Sequence, residues 1–481
     1  MEKETTFMDY FTWFIGVLND YMWSYILIVA LIGLGLYFTF RTRFAQFRYL
    51  GEMFRVLTDK STVSAEGKRG ISSFQAFTIS AASRVGTGNL AGVATAIASG
   101  GPGAVFWMWL IALLGGATSF IESTLAQIYK VKDKDGFRGG PAYYMEKGLN
   151  ARWMGIVFAI IITFCFGLVF NSVQSNTISL AIAESYEVDR LTIGIVLAIL
   201  TAVIIFGGIK RIANFTQIVV PIMAILYILL SLFILIKNIG LLPDMFVLIF
   251  EGAFGIREVV SGGVGAAIMM GIKRGLFSNE AGMGSAPNAA ATASVSHPVK
   301  QGFIQTLGVF VDTLIICTCT AFMIILSDQY TGGLNGIQLT QAALSFHVGE
   351  WANMFVAVAI FLFAFSSIIG NYYYGETNIE FIKYSPTALF VYRIAVVGMV
   401  IFGATVELAV VWSLADLFMG IMAIINLIAI TLLTKTALAA LKDYRKQKKQ
   451  GKDPVFYSDS IEGLEGIECW DENPGLEKSN K

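Results

Sequence analysis

About eleven long apolar runs follow one another along the chain, separated by short polar segments or by glycine and proline. A bilayer core is about 30 Å thick, so a helix needs roughly 20 mostly apolar residues to cross it. The runs cover approximately residues 22–40, 74–98, 104–129, 154–173, 191–207, 212–236, 259–291, 303–326, 339–373, 388–401 and 408–433. This pattern predicts an all-α polytopic membrane protein with about 11 transmembrane helices.

The composition excludes several other classes of protein. Hydrophobic residues make up 56% of the chain and charged residues only 14%, against about 25% charged in soluble domains. Lys plus Arg and Asp plus Glu each total 34, so the net charge is zero and gives no electrostatic basis for nucleic-acid binding. The chain has two histidines and four scattered cysteines and lacks H-E-x-x-H and G-x-S-x-G motifs. We therefore do not expect an enzyme.

Lysine and arginine in the short loops predict the orientation, because positively charged loops stay in the cytoplasm. Basic residues follow the first, third, fifth, seventh and ninth runs, and they cluster again beyond residue 440. The loops between them lean acidic, as at Glu184, Asp244 and Asp328. We expect an extracellular N-terminus, a cytoplasmic C-terminus and a multi-pass protein surrounded by lipid in a prokaryotic plasma membrane.

Two of the apolar runs contain segments that an uninterrupted membrane helix would not favour. Residues 85–89 (VGTGN) lie inside the second run and residues 275–284 (GLFSNEAGMG) inside the seventh. A helix break frees backbone N–H and C=O groups, which lipid tolerates only where they face a cavity and bind something. Close packing of helices at glycine is the alternative explanation for either segment alone.

The two breaks occupy matching places in the chain. Without the leading helix they fall in the first and sixth of ten helices, which is the pattern of a secondary transporter built from two inverted five-helix halves. The predicted parts are residues 1–70 (extracellular N-terminus, first helix and basic cytoplasmic segment), 71–238 (first repeat), 239–437 (second repeat) and 438–481 (cytoplasmic tail). The tail beyond residue 452 is acidic, and we expect it to be solvated, with regulation or partner binding as the alternative.

Three motifs resemble the alanine or glycine:cation symporter family, also called the sodium:alanine symporter family. They are RVGTGN at 84–89, GPGAVFWMW at 101–109 and GLFSNEAG at 275–282. The resemblance implies the leucine-transporter-type fold, a 5+5 inverted repeat with one extra N-terminal helix. It also implies import of small neutral amino acids with Na⁺ as the coupling ion, and occasionally with protons.

The same resemblance implies a substrate site at the breaks. The amides near Thr87 and Gly88 would hold the substrate carboxylate, and Asn89 would bind a cation or that carboxylate. Phe170 and Gln174 would line the pocket, although interhelical hydrogen bonding and aromatic packing explain them equally well. Phe277 and Asn279 of the second break complete the substrate-binding set.

A sodium site is implied beside the first break. Its ligands would be the carbonyl groups of Ala82 and Val85 and the hydroxyl groups of Ser366 and Ser367. An all-oxygen set suits a hard cation. Hydrogen bonding of the two serines to their own helix is the alternative.

Acidic residues within apolar runs need partners, because a lone charge there costs several kcal/mol. For Glu280 we expect pairing with Arg84, Lys273 or Arg274, in a structural role rather than as a cation ligand. Asp312 receives no role, and a position at a helix end explains Glu122.

One departure from the family bears on the substrate. Family members that take alanine have a tryptophan where this chain has Asn371. A carboxamide in place of an indole enlarges the cavity and adds a hydrogen-bond donor and acceptor. We therefore expect glutamine, or asparagine, ahead of alanine and glycine, unless Asn371 only bonds a neighbouring helix.

The function expected from these features is sodium-coupled import of small neutral amino acids by alternating access. A proton-coupled symporter and a passive facilitator or channel are the alternatives. A channel would favour continuous pore-lining rings, which the sequence does not show. The oligomeric state is not predicted.

Overall fold

A computed structural model describes residues 7–59, 70–133, 136–256 and 263–471. These residues are almost entirely helical, and one short antiparallel hairpin pairs β1 (Val131–Asp133) with β2 (Gly136–Arg138). Up to the first break the helices are α1 (Phe7–Tyr21), α2 (Ile28–Arg41), α3 (Ala45–Arg48), α4 (Leu50–Leu57) and α5 (Ser73–Arg84).

The longest helices follow the first break. Between the two breaks lie α6 (Val93–Gly100), α7 (Ala104–Ile128), α8 (Pro141–Leu149), α9 (Arg152–Ile162), α10 (Asn171–Tyr186), α11 (Arg190–Ile205), α12 (Gly208–Lys237), α13 (Leu242–Phe254) and α14 (Gly263–Asn279). After the second break lie α15 (Ala286–Ala291), α16 (Pro298–Val309), α17 (Thr318–Ser327), α18 (Gly336–Val348), α19 (Trp351–Ile382), α20 (Pro386–Thr405), α21 (Leu408–Leu432) and α22 (Thr434–Lys449).

Several of these helices continue directly from, or into, wider π-helical turns. Such segments are Met22–Leu27, Gly88–Gly92, Thr163–Phe170 and Phe310–Cys317. A π-helical turn inserts an extra residue and often marks a functional position. Gly88–Gly92 leads directly out of the first break, and Phe310–Cys317 packs against it.

Eight helices of the described chain are long and apolar enough to cross a membrane. They are Trp13–Arg41, Ala104–Ile128, Arg152–Tyr186, Asn214–Lys237, Pro298–Ser327, Trp351–Ile382, Pro386–Thr405 and Leu408–Leu432. Three more of the predicted runs correspond to the 16-residue helix α11 and to the two interrupted pairs, α5 with α6 and α14 with α15.

One predicted run differs in the structure. The stretch 339–373 is not continuous, because α18 ends at Val348 and α19 starts at Trp351. Gly349 lies between them with φ +94, a conformation that glycine adopts at little cost. The start of the seventh predicted run, from residue 259, lies partly outside the described residues.

The helices form an inner group surrounded by an outer group. Helix α7 packs against α14, α15 and α16, and α10 packs against α19 and α20. The outer helices α11, α12 and α20 instead expose large apolar side chains such as Ile199, Leu226 and Phe390. An apolar outer surface of this kind suits contact with lipid.

The two interrupted helices run in opposite directions. Ile71, just before α5, forms a parallel bridge with Ala293, just after α15, and the Ser294 amide donates to the Ile71 carbonyl (2.9 Å). The start of the first broken helix and the end of the second therefore meet at the same end of the bundle. We call it the basic end, because Lys130, Lys147 and Lys300 lie there.

The acidic tail is not a free, solvated segment as far as Asp471. The Phe456 amide donates to the Ser296 carbonyl (2.9 Å), and the Trp470 indole donates to the Gln127 carbonyl (3.1 Å). The Lys130 Nζ lies 4.7 Å from the centre of the Trp470 ring. Burial of Lys130 lowers the pKa of its amine to about 7. The tail therefore packs across the basic end, and the expectation of a solvated tail is wrong for its described part.

Candidate functional site

The first break starts where α5 ends. Val85 is extended (φ −80, ψ 91), and the Gly86 amide donates to the Asn89 side-chain oxygen (2.9 Å). In a continuous helix that amide would bond the Ala82 carbonyl. The Asn89 amide likewise turns to the Gly86 carbonyl (3.2 Å) instead of Val85. Asn89 thus frees the carbonyl groups of Ala82 and Val85 from the helical pattern.

Helix α19 brings Ser367 to this point. The Ser367 hydroxyl lies 3.4 Å from the Val85 carbonyl oxygen. Ser366 and Ser367 both donate to the Phe363 carbonyl, at 2.8 and 3.1 Å. A hydroxyl that donates one hydrogen keeps its lone pairs, so bonding to their own helix leaves both serines able to bind a cation.

Gly86 lies between the Ser367 hydroxyl and the Gln174 side chain. A Cβ at Gly86 would lie 2.2 Å from the Ser367 Oγ and 2.8 Å from the Gln174 Oε1. Gln174 in turn accepts the Thr87 amide hydrogen at 2.9 Å. The Thr87 hydroxyl is fully buried and has no hydrogen-bond partner among the described residues. The Thr87 hydroxyl is therefore available to a ligand, whereas the Thr87 backbone amide is already bonded to Gln174.

The Asn89 side chain is fully engaged in a buried polar cluster. Its amide nitrogen donates to the Asp312 Oδ1 (2.7 Å) and the Ser278 Oγ (3.1 Å). Ser278 and Thr313 both donate to the Asp312 Oδ2 at 2.8 Å. Asn89 therefore ties the first break to α14 and to the π-helical segment that carries Asp312, to which the sequence had assigned no role.

The second break lies between Asn279 and Ala286, so the first half of the predicted segment, 275–279, is helical. The Asn279 Oδ1 accepts the Ala281 amide (3.0 Å), and its Nδ2 has no partner within the described chain. Glu280 adopts a left-handed conformation with φ +58, which is uncommon for a residue other than glycine. This conformation ends α14 at Asn279.

The hydrogen-bond partners of Glu280 differ from those expected. It accepts hydrogen bonds from Ser83 (2.7 Å) and Ser285 (2.6 Å). Lys273 and Arg274 pair instead with Asp416, at 3.4 and 2.7 Å, so their proposed pairing with Glu280 is wrong.

Of the three residues proposed to pair with Glu280, Arg84 interacts electrostatically with the Glu280 carboxylate. The Arg84 guanidinium is buried, and it donates to the Gln305 carbonyl (3.3 Å). Its Nε and Nη2 have no hydrogen-bond partner in the described part of the chain. Glu280 therefore joins α5 to α15 by hydrogen bonds and lies near a buried positive charge.

Glu122 is not at a helix end. It is fully buried within α7 and accepts the amides of Gly282 (3.1 Å) and Gly284 (3.2 Å). Asn426 also donates to it at 2.7 Å. The carboxylate thus binds backbone groups that the second break leaves without helical partners.

Asn371 lies against the first break. Its Oδ1 is 2.6 Å from the Ser83 hydroxyl, which also reaches Glu280. One hydroxyl hydrogen cannot serve both oxygens, whereas an Asn371 amide turned by 180° would donate to Ser83 and expose its oxygen. In either orientation one half of the carboxamide lacks a partner among the described residues.

A row of aromatic rings covers the first break on the side away from the basic end. The ring centres of Phe170 and Phe277 are 4.6 Å apart, and those of Phe277 and Trp412 are 4.7 Å apart. The Arg274 guanidinium stacks over Trp412 at 4.1 Å and pairs with Asp416. A Cβ at Gly88 would touch Phe277 at 3.1 Å, so this aromatic row covers the first break.

The predicted site residues therefore converge. The structure brings together Val85, Ser367, Gln174, Thr87 and Asn371 around the first break, and places Phe277 against Gly88. Four residues that hold the site were not assigned to it from the sequence: Ser83, Ser278, Asp312 and Glu122. The two acidic ones carried a usable signal, since carboxylates inside apolar runs are rare and usually functional.

Comparison with known proteins identifies the family. The model of the sodium:alanine symporter family matches residues 8–458. A Bacillus subtilis protein named probable sodium/glutamine symporter GlnT is 59% identical over 457 residues, 95% of each chain. The amino-acid carrier protein AlsT of the same organism is 60% identical, covering 96% of this chain and 98% of its own.

A more distant relative matches in sequence, and a solved structure matches in fold alone. The sodium/alanine symporter AgcS of Methanococcus maripaludis is 39% identical over 90% of this chain and 97% of its own. The crystal structure of the Eremococcus coleocola manganese transporter is 12% identical and has a TM-score of 0.50 over 83% of this chain and 93% of its own. The chain therefore belongs to the sodium:alanine symporter family, as a multi-pass sodium-coupled amino-acid symporter and not an enzyme.

Proposed function

We propose that this symporter imports glutamine in preference to alanine and glycine, with Na⁺, by alternating access. The observation that carries the proposal is the meeting of the Val85 carbonyl and the Ser367 hydroxyl (3.4 Å) at the first break, beside the carboxamide of Asn371. Backbone freed in a membrane interior is stable where it binds a ligand.

The architecture that supports this function is eleven crossings, arranged as a leading helix and two inverted halves of five. The opposite directions of the two broken helices agree with such a repeat. The basic end faces the cytoplasm, since positive charge is retained there. This places residue 7 outside and α22 inside, and it fits a prokaryotic plasma membrane, as the bacterial relatives suggest.

Sodium binds the carbonyl groups of Ala82 and Val85 and the hydroxyl groups of Ser366 and Ser367. All four residues are buried, and all four groups offer oxygen without a formal charge. Oxygen-only coordination suits a hard cation. Bound sodium would hold α5 and α19 together at the break, and this shapes the substrate site next to it.

The substrate carboxylate binds the amides and the free hydroxyl at Thr87 and Gly88. Gln174 holds the Thr87 amide in the structure (2.9 Å) and would yield it to the substrate. Asn371 then pairs with the substrate carboxamide, because half of its own carboxamide is unpaired. The similarity to a protein named as a glutamine symporter supports this choice of substrate.

The outer face of the site is covered, as alternating access requires of a state closed to the outside. The Arg274–Asp416 pair and the aromatic row of Phe170, Phe277 and Trp412 cover the outer face. We infer that the outer path opens when α14 moves away from α21, which breaks that ion pair, and that the inner path opens at the basic end.

The experiment for this proposal is uptake of labelled glutamine and labelled alanine into liposomes containing the purified protein. A sodium gradient, a proton gradient and no gradient are compared. We expect sodium-dependent accumulation, with glutamine ahead of alanine. Alanine ahead of glutamine would reject the substrate choice alone, and uptake that follows only the proton gradient, or neither gradient, would reject sodium coupling.

Replacing Ser367 by alanine should raise the sodium concentration for half-maximal uptake by about tenfold or more, because one ligand of the cation is lost. Ser80→Ala is the matched control, since Ser80 is a buried serine of α5 whose hydroxyl bonds only its own helix (Phe77, 2.9 Å). Sodium titrations of initial uptake rates measure both variants. Equal sodium dependence of the two would remove Ser367 from the site.

Replacing Asn371 by tryptophan should shift the preference from glutamine toward alanine, since an indole fills the space of the substrate carboxamide. Asn371→Ala, which leaves space but no donor or acceptor, should lower the glutamine-to-alanine ratio by about tenfold. Asn378→Ala on the same helix is the control, because Asn378 bonds Asn288 of α15 (3.0 Å), away from the first break and Asn371. An unchanged ratio in both Asn371 variants would reject the role of Asn371.

A further inference from the structure

A groove lies at the basic end between the end of α2 and one face of α22. It encloses about 490 Å³. Six basic side chains line it: Arg41, Arg43, Lys442, Arg445, Lys446 and Lys449. The other lining residues are Leu438 and Leu441. No acidic side chain of the described residues lines this groove, so six positive charges face one small volume.

The six cations are also without carboxylate partners in the described part of the chain. Other cations of the basic end are paired: Lys448 with Glu52 (3.1 Å) and Lys300 with Asp453 and Asp59 (both 2.9 Å). The contrast falls within one helix, because α22 uses Tyr444 and Lys448 on one face to bind Glu52. Its other face presents the unpaired charges, spaced three or four residues apart as neighbours on a helix surface.

The groove borders the apolar surface of the bundle. Arg41 is the last residue of α2, a helix long enough to cross a membrane, and α22 starts two residues after α21 ends at Leu432. Phe40 is 63% exposed and Leu432 is 64% exposed. Exposed apolar side chains beside clustered cations suit a ligand with an anionic head and apolar chains.

We propose that this groove binds the phosphate head of an anionic phospholipid from the cytoplasmic leaflet. Arg41 and Arg43 from the leading helix and the basic face of α22 would surround the phosphate. The lipid chains would lie against Phe40 and Leu432. Such a lipid would tie the leading helix to the C-terminal helix. The inference uses the proposed cytoplasmic orientation of the basic end but not the transported substrate.

The test measures lipid retention by purified full-length protein, which does not depend on transport. Protein stripped in detergent is mixed with phosphatidylcholine containing roughly one quarter phosphatidylglycerol, and bound lipid is quantified after repurification. We compare wild type with Arg445→Gln/Lys446→Gln/Lys449→Gln. The matched control is Lys132→Gln/Lys383→Gln/Lys452→Gln, which removes three exposed charges at the same end but outside the groove.

We expect wild type and control to retain phosphatidylglycerol over phosphatidylcholine, and the groove variant to retain at least about tenfold less. High salt should reduce retention by the wild type toward the level of the groove variant. Equal retention by all three proteins would overturn the proposal. Displacement of the bound lipid by inorganic phosphate at similar concentration would also overturn it, since a soluble anion would then suffice.

If the triple variant does not fold, Lys446→Gln alone is compared with Lys132→Gln. We expect several-fold weaker retention for the first, as befits about 1 kcal/mol per basic residue near an anionic membrane, and no change for the second. Failure of the sodium-driven uptake described above would leave this lipid measurement unaffected, so the two proposals fail separately.

Discussion

Replacement of Gly86 by alanine is expected to lower sodium-driven uptake at least tenfold, with the protein still inserted in the membrane. The added Cβ would lie 2.2 Å from the Ser367 Oγ and 2.8 Å from the Gln174 Oε1. Both atoms would have to move, because interiors packed this densely leave little free space. The shift would separate Ser367 from the Val85 carbonyl and Gln174 from the Thr87 amide.

Gly92→Ala is the matched control for this substitution. Gly92 is in the same interrupted helix, and its added Cβ would meet atoms at 3.7 and 3.8 Å, which are ordinary contacts. We expect its uptake to stay close to that of the wild type in the same proteoliposome assay. Wild-type uptake by Gly86→Ala would contradict the tight arrangement of Gly86, Ser367 and Gln174.

Replacement of Glu280 by alanine is expected to destabilise the protein by about 2–4 kcal/mol, because two buried hydroxyl groups lose a charged hydrogen-bond acceptor. These hydroxyl groups belong to Ser83 and Ser285. The substitution would also remove the negative charge near Arg84, which is 2% exposed and has two guanidinium nitrogens without a described hydrogen-bond partner. Both effects act on the connection between the two breaks.

Unfolding in detergent, followed by fluorescence on heating, measures this effect. Glu187→Ala is the control, because Glu187 has a similar backbone conformation (φ +54) but is exposed. Glu280→Gln keeps a hydrogen-bond acceptor without the charge, so its stability should fall between those of the wild type and Glu280→Ala. Wild-type stability of Glu280→Ala would show that Glu280 does not connect the breaks.

The positions of the breaks could be predicted because they are local features. Glycines and polar side chains stand out within an apolar run, and the first break at Val85–Thr87 falls inside the predicted segment. The second starts later than predicted, at Glu280, because Gly275 and its neighbours stay helical in contact with α7. Glycine alone does not distinguish a break from close helix packing.

Other features depend on partners far away in the chain. Arg274 and Asp416 are 142 residues apart, and Gly282 and Glu122 are 160 residues apart, so spacing could not reveal either contact. Apolar composition also could not show that α18 ends before α19, since a buried apolar helix that precedes a membrane span looks like part of that span in the sequence. The tail was expected to be solvated because of its charge, yet Phe456 and Trp470 hold it to the bundle.

The central claim is that sodium beside Val85 and Ser367 prepares the first break for the substrate. Coupling of this kind is reciprocal and typically amounts to about 1–3 kcal/mol. The most direct measurement is binding of labelled glutamine to purified protein across a range of sodium concentrations. We expect sodium to tighten glutamine binding by roughly fivefold to a hundredfold, and Ser367→Ala to lose most of that effect. Glutamine affinity that does not change with sodium in the wild type would contradict the account.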